Sequence, residues 1–128
     1  MKFLRNNKNQ EKKVLPIINW ISFTSIEEIA TIKQQSETKP VIIFKHSTRC
    51  AISRMVLKQL ENNFSNELQG FQLYYLDLLN YRSVSNEVSN TFNVIHESPQ
   101  ILIIKNGNVV AHASHYEILE IDFAKFTA

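Results

Sequence analysis

Short runs of apolar residues, several of them rich in valine and isoleucine, alternate along the chain with longer segments in which apolar and polar positions are mixed. Compact apolar runs bounded by polar residues predict strands. They lie at residues 14–21, 41–44 and 71–79, and in a hairpin over 100–113. Asn106-Gly107 supplies the turn of that hairpin, because Asn-Gly is a preferred two-residue turn.

The longer segments repeat apolar residues at intervals of three and four, which predicts helices with one buried face. These helices cover residues 24–35, 51–64, 81–92 and 116–126. Thr24 and Glu27 have the spacing of a capping box, so they mark the start of the first helix.

The resulting order, β-α-β-α-β-α-β-β-α, predicts an α/β domain with a mixed central sheet of about five strands flanked by about four helices. Thioredoxin-like domains have this order of elements, so residues 14–128 are predicted to form one thioredoxin-like domain. Residues 1–13 are polar and locally basic, and we interpret them as a flexible segment. The chain has 128 residues, 44% of them hydrophobic, which is enough for one core without disulfide bonds.

Composition narrows the range of functions. The formal charge of +2 is small and the basic residues are scattered, so we expect no nucleic-acid partner. Two glycines are too few for a glycine-rich phosphate loop. No apolar segment has the length of a membrane span, so we expect no membrane partner. A single cysteine cannot form an internal disulfide, which favours the reducing cytoplasm as the location.

The one cysteine, Cys50, stands between a predicted strand and a predicted helix in the stretch VIIFKHSTRCAIS. Unpaired N–H groups and the helix dipole stabilise a thiolate at a helix N-terminus. Lys45, His46 and Arg49 add positive charge nearby. A stabilised thiolate is both the reactive form and a good leaving group, so Cys50 is predicted to be a catalytic residue that accepts a thiol adduct and then releases it.

Ser53 lies one helical turn after Cys50, on the same face of the predicted helix. Its hydroxyl is placed to donate to the thiolate, and we predict it to be the second catalytic residue. A Cys-x-x-Cys oxidoreductase has its second, resolving cysteine at this position. With serine there, another thiol must remove an adduct from Cys50, so the predicted site is monothiol.

Pro99 opens the first strand of the hairpin, 49 residues after Cys50. A thioredoxin-like domain keeps a cis-proline at this point, where the missing N–H is tolerated and the backbone turns towards the cysteine. Ser98 would then offer backbone groups to an extended thiol ligand.

Two stretches, FKHSTRCAIS and ESPQILIIKNG, resemble the monothiol bacilliredoxins, which are general-stress, thioredoxin-like proteins of bacteria that use bacillithiol as their small thiol. The resemblance covers roughly residues 17–123. One departure is Ala51, where the family often has proline. The nucleophile and the serine are both in place.

The resemblance implies that the protein is a thiol–disulfide oxidoreductase that removes bacillithiol from S-bacillithiolated proteins, its partners. Cys50 would take the bacillithiol, and free bacillithiol, a co-substrate, would regenerate it. No tightly bound cofactor is expected. The predicted ligand-binding residues are Thr48, Arg49, Ser98 and Pro99, with Lys45 as a weaker anchor for the carboxylates of bacillithiol.

Two alternatives remain open at this point. Monothiol glutaredoxin-like domains also use Cys-x-x-Ser, and two subunits can share an iron–sulfur cluster. A redox-inert interaction module with the same fold is the other alternative. The chain shows no zinc-ligand spacing among His96, His112, His115 and Cys50, so no metal site is predicted. The oligomeric state is left open by the sequence.

Overall fold

A computed structural model describes residues 17–127 of the chain. The segment predicted to be flexible and basic, residues 1–13, lies outside the described residues. So does the beginning of the first predicted strand.

The centre of the fold is a five-stranded sheet in the order β1-β3-β2-β4-β5. Strands β1 and β2 both run parallel to β3, whereas β4 is antiparallel to β2 and to β5. The predicted mixed sheet is therefore confirmed. The strands are β1 (Ile21–Ser22), β2 (Val41–His46), β3 (Gln72–Asp77), β4 (Gln100–Lys105) and β5 (Asn108–Ser114).

Within the described residues, four α-helices flank the sheet, and two short 3₁₀ helices follow β5. Three of the α-helices match predicted ones, whereas the four-residue helix α3 was not predicted. The α-helices are α1 (Glu28–Gln35), α2 (Ala51–Asn63), α3 (Ser65–Leu68) and α4 (Arg82–Phe92). The 3₁₀ helices span His115–Glu120 and Phe123–Phe126.

Two apolar clusters cover the two faces of the sheet, and β2 contributes to both because its side chains alternate. Val41 and Ile43 pack in the cluster that includes α1 and α4. Ile42 and Phe44 pack in the other, with α2, α3 and the 3₁₀ helices. All six residues of β2 are buried, as expected of a strand covered on both faces.

The first strand is much shorter than predicted. A strand over residues 14–21 was expected, but residues 17–20 have no regular structure and β1 begins only at Ile21. Ile17 is largely exposed. Trp20 packs against Phe44 and donates a hydrogen bond to Glu61 of α2 at 2.8 Å. Contacts of single side chains, rather than strand burial on both faces, therefore explain the apolar character of this run.

The first helix starts later than predicted, and the capping box does not form. Helix α1 begins at Glu28, and Glu27 at its N-cap makes no side-chain cap hydrogen bond. The N–H groups of Glu28 and Ile29 donate instead to the carbonyls of Ser25 and Ile26, at 3.1 and 3.0 Å. Since these backbone turns already pair the first donors, the side chain of Thr24 is not needed as a cap.

The predicted last helix, residues 116–126, is wrong in type. Two 3₁₀ helices stand in its place, separated by the extended residue Ile121. Ile118 and Phe123 are five residues apart and would lie on different faces of a continuous α-helix. The break allows both side chains to enter the same apolar cluster, where each is almost fully buried.

We expect Phe123→Ala to lower the free energy of unfolding by about 3–5 kcal/mol, because the ring fills the core. Phe123 is 1% exposed and contacts the rings of Phe64 and Phe71, with centroid distances of 5.4 and 6.0 Å. Urea unfolding measures the change. The matched control is the exposed neighbour Lys125→Ala, which should stay within about 0.5 kcal/mol of the unchanged chain. Equal effects of the two substitutions would contradict a core position for Phe123.

Candidate active site

Cys50 is the N-cap residue of α2, in an extended conformation with φ −101° and ψ 120°. Its carbonyl accepts the first hydrogen bond of the helix, from the N–H of Arg54 at 3.0 Å. No side chain caps this end of α2, and the thiol is partly exposed. The sulfur therefore lies at the positive end of the helix dipole, within reach of a reactant.

The loop before Cys50 is a tight turn, in which the N–H of Cys50 donates to the carbonyl of Ser47 at 3.2 Å. Thr48 and Arg49, at the tip of this turn, are both exposed. The guanidinium of Arg54 reaches back and donates to the carbonyl of Thr48 at 2.8 Å. Arg54, in the first turn of α2, thus stabilises the loop. The sequence did not predict this contact.

Ser53 is fully buried, and its hydroxyl group has two hydrogen-bonding partners. Its oxygen accepts the N–H of Ser47 at 3.1 Å and lies 2.7 Å from Nδ1 of His46. Within residues 17–127, no hydrogen bond joins Ser53 to Cys50. The expected donation to the sulfur is therefore absent from this geometry, and the catalytic role of Ser53 stays a prediction.

His46 is the buried partner that determines how Ser53 points. Burial lowers the pKa of His46, and Arg54 acts in the same direction, while Asp77 raises it. A neutral imidazole has one ring nitrogen free to accept a hydrogen bond. Ser53 then donates to Nδ1, which leaves the ring proton on Nε2. This hydrogen bond fastens α2 to the end of β2, directly beneath the Cys50 loop.

The other half of the candidate site is the Ser98–Pro99 segment, whose peptide bond is cis. Lys45 of β2 pairs with Gln100 of β4, and the two strands are antiparallel. The loop that follows β2 and the segment that precedes β4 therefore emerge at the same edge of the sheet. This topology brings Cys50 and Ser98–Pro99 together across 49 residues of sequence. The hydroxyl oxygen of Ser98 is buried without a hydrogen-bond partner among the described residues.

Lys45 cannot serve as the surface anchor that was expected of it. The side chain is completely buried on the α4 face of the sheet, opposite to α2. Strand alternation separates it from His46, which faces α2. The sequence could have indicated this placement. Side chains of a strand alternate between its two faces, so extending the strand from Val41–Phe44 by two residues assigns Lys45 and His46 to opposite faces.

Two features are absent from the described residues, 17–127. Nowhere in this part of the chain do three or more His, Cys, Asp or Glu side chains come close enough to hold a metal ion. None of its helices combines the length and the apolar composition that a membrane crossing requires.

Comparison with known proteins shows which family has this site. The family model described as monothiol bacilliredoxin BrxC matches residues 21–122, which include Cys50, Ser53 and Pro99. The chain belongs to the monothiol bacilliredoxin family. The family and the site together make it a thiol oxidoreductase-like protein.

Solved structures show the same fold. A protein provisionally described as an oxidoreductase with a thioredoxin fold shares 30% identity over 77% of this chain and 84% of its own, with a TM-score of 0.67. Thioredoxin from Malassezia sympodialis is 17% identical over 90% of this chain and 96% of its own, with a TM-score of 0.71. Thioredoxin from Fasciola hepatica is 13% identical over 82% and 97%, with a TM-score of 0.65. The predicted thioredoxin-like fold is confirmed.

We expect Ser53→Ala to lower the free energy of unfolding by about 1–3 kcal/mol, because it leaves Nδ1 of His46 and the N–H of Ser47 buried and unpaired. Chemical denaturation measures the loss. The control is Ser83→Ala on the exposed side of α4, where removing a hydroxyl should change stability by less than about 0.5 kcal/mol. A loss no larger than that of Ser83→Ala would show that the hydrogen bonds of Ser53 contribute little.

Acid should weaken the fold through His46. Its folded-state pKa lies below the unfolded value of 6.5, so the folded state resists protonation while the unfolded state accepts it. Stability present above pH 6.5 is then lost as the pH falls through the folded pKa. Unfolding free energies measured across this range should fall less steeply in His46→Asn, whose amide oxygen can replace Nδ1 as acceptor.

His96, whose pKa is also lowered by burial, contributes equally to both proteins, so the difference between the two slopes isolates His46. Identical slopes for His46→Asn and the unchanged chain would exclude His46 as a source of the acid sensitivity.

Proposed function

We propose that this protein removes bacillithiol from S-bacillithiolated proteins by thiol exchange through Cys50 alone. The proposal is based mainly on the exposure and hydrogen bonding of residues 50 and 53. Cys50 is partly exposed at a helix N-terminus, and the residue one turn later is a buried serine whose hydroxyl is already bonded to His46. Membership of the bacilliredoxin family supports the choice of bacillithiol as the thiol.

In the first step, the Cys50 thiolate attacks the bacillithiol sulfur of the mixed disulfide. The bond between that sulfur and the substrate protein breaks, and a bond to Cys50 forms. The substrate cysteine leaves as a thiolate and takes a proton from water. One disulfide is exchanged for another, so no net oxidation occurs.

In the second step, a free bacillithiol thiolate attacks the bacillithiol sulfur held on Cys50. The products are bacillithiol disulfide and the Cys50 thiolate, which starts the next cycle. Ser53 cannot carry out this step, because a hydroxyl is not a thiol nucleophile and this one is buried. The incoming thiol must therefore come from solution, which makes bacillithiol a co-substrate rather than a bound cofactor.

Recognition of the small thiol would fall to both halves of the site. Arg49 and Thr48 are exposed at the tip of the Cys50 loop, where a guanidinium can pair with the carboxylates of bacillithiol. Ser98, beside Pro99, would offer backbone groups to the extended part of the ligand. The partners are thus S-bacillithiolated proteins and bacillithiol, and we propose the cytoplasm as the compartment in which this chemistry takes place.

Intact-mass analysis tests the proposal directly. The reduced protein is mixed with a model protein that carries a bacillithiol mixed disulfide on one cysteine. We expect the bacillithiol mass to appear on Cys50 while the model protein regains its free thiol. Added bacillithiol should then remove the adduct. Cys50→Ser, which keeps the size and polarity of the side chain, should take up no mass.

A parallel reaction with a coenzyme A mixed disulfide on the same model protein measures the preference for bacillithiol. Equal transfer rates for the two adducts would contradict a bacillithiol-specific function while leaving thiol exchange in place. If a folded protein takes no adduct on Cys50, the proposed reaction is wrong. Purified protein with the colour of an iron–sulfur cluster would then identify the cluster-binding alternative.

A further inference from the structure

Lys45 is an unusual residue for its position. It follows four consecutive apolar residues of β2, and its exposed fraction is zero. Lysine is almost never fully buried unless it is paired, because removing an ammonium from water is costly. Burial lowers the pKa of Lys45 to about 8, so the group is still mainly protonated at neutral pH.

The three N–H groups of this ammonium find three acceptors. Nζ lies 3.3 Å from the carbonyl oxygen of Ser85 and 3.0 Å from Oγ of Ser89, both on α4. The third acceptor is Nδ1 of His96, at 3.2 Å. Burial lowers the pKa of His96, and the charges of Lys45 and Arg82 lower it further against the opposing effect of Glu97, so the ring is neutral and Nδ1 can accept.

The contact with His96 reaches a loop, whereas the other two contacts reach helix α4. His96 stands in the irregular segment between α4 and β4, two residues before Ser98. Its side chain is exposed, so packing alone does not hold it in place. The hydrogen bond from Lys45 thus links a surface loop to the centre of the sheet, and Oγ of Ser85 on α4 lies 3.4 Å from the same Nδ1.

A second buried polar side chain holds the same segment. Gln100 is 1% exposed, and its Nε2 donates to the carbonyl of Ile95 at 2.9 Å. Lys45 and Gln100 are register partners on β2 and β4, so the two residues reach adjacent positions of the loop from neighbouring strands. Of the two, only Lys45 belongs to the strand that leads into the Cys50 loop.

We propose that Lys45 is a positioning residue that ties the segment before Ser98–Pro99 to the strand carrying the Cys50 loop, and thereby sets the spacing between the two halves of the thiol-ligand site. The proposal deepens the proposed function and rests on it for its kinetic consequence. Lys45 is fully buried and bonds to Ser85, Ser89 and His96, so it acts through the loop rather than on the sulfur. A purely structural lysine would affect overall stability but would not act selectively on residues 93–98.

Lys45→Met tests the proposal, because methionine keeps an unbranched side chain but removes all three donors. Hydrogen exchange followed by mass spectrometry should show faster exchange in residues 93–98, at the amide of Val94, which donates to the carbonyl of Ser89 at 3.2 Å. We expect this amide to exchange about tenfold faster, as for loss of a hydrogen bond from a charged donor. Peptides from α2 should exchange as before. Lys58→Met, which removes an exposed lysine from α2, should leave residues 93–98 unchanged.

The kinetic readout separates positioning from a general loss of activity. In Lys45→Met, the KM for the S-bacillithiolated model protein should rise about tenfold, whereas the rate at which iodoacetamide alkylates Cys50 should stay within about twofold. A tenfold fall of the alkylation rate alongside the rise in KM would overturn the proposal, because it would indicate damage to Cys50 itself. Unchanged hydrogen exchange at residues 93–98 would overturn it as well.

His96→Leu removes the same hydrogen bond from the exposed side of the contact, so it covers the case in which Lys45→Met does not fold. Its effects on hydrogen exchange and KM should match those of Lys45→Met, and the double variant should add little to either single one. Fully additive effects would contradict a direct link between the two side chains. If the unchanged protein takes no adduct, the proposed function fails, but the exchange data still decide whether Lys45 holds the loop.

Discussion

Strand β2 is buried along its whole length, and this constraint organises the rest of the site. A strand covered on both faces must place every side chain against one helical layer or the other. Four apolar residues satisfy this condition simply, but Lys45 and His46 extend the buried strand with two titratable groups. Each of them needs partners, and each finds them in a different layer: α4 and the following loop for Lys45, α2 for His46.

The two halves of the candidate site are thus joined by buried polar contacts as well as by apolar packing. On one face, His46 holds Ser53 and the N-terminal turn of α2 close to the strand end. On the other, Lys45 holds the segment that leads to Ser98–Pro99. Since buried hydrogen bonds have narrow geometric requirements, these contacts restrict the position of the loops more strictly than apolar side chains would. Within residues 17–127, no hydrogen bond is made by the side chain of Cys50, and the residue is partly exposed at the end of the helix.

Local patterns in the sequence predicted the order of elements, the helix that starts after Cys50 and the hairpin turn at Asn106-Gly107. Each depends on residues close together in the chain, which is why pattern and propensity were sufficient. The direction of the Ser53 hydroxyl could not be predicted, because it depends on a rotamer and on a histidine across the loop. The partners of Lys45 come from 40 to 51 residues away, a distance that no local pattern covers. The start of α1 was misplaced because backbone turns satisfied the donors that a capping side chain was expected to satisfy.

The buried hydroxyl of Ser53 also disfavours a second cysteine at this position. Conversion to a dithiol enzyme requires a second sulfur at position 53, yet the oxygen there is bonded to an imidazole and a backbone N–H. Sulfur is larger and is a weaker hydrogen-bonding atom, so a cysteine at position 53 would lose the contacts that fasten α2 to β2. Acquiring a resolving thiol would therefore involve His46 as well as Ser53. The buried hydrogen bonds at position 53 therefore favour serine over a second cysteine.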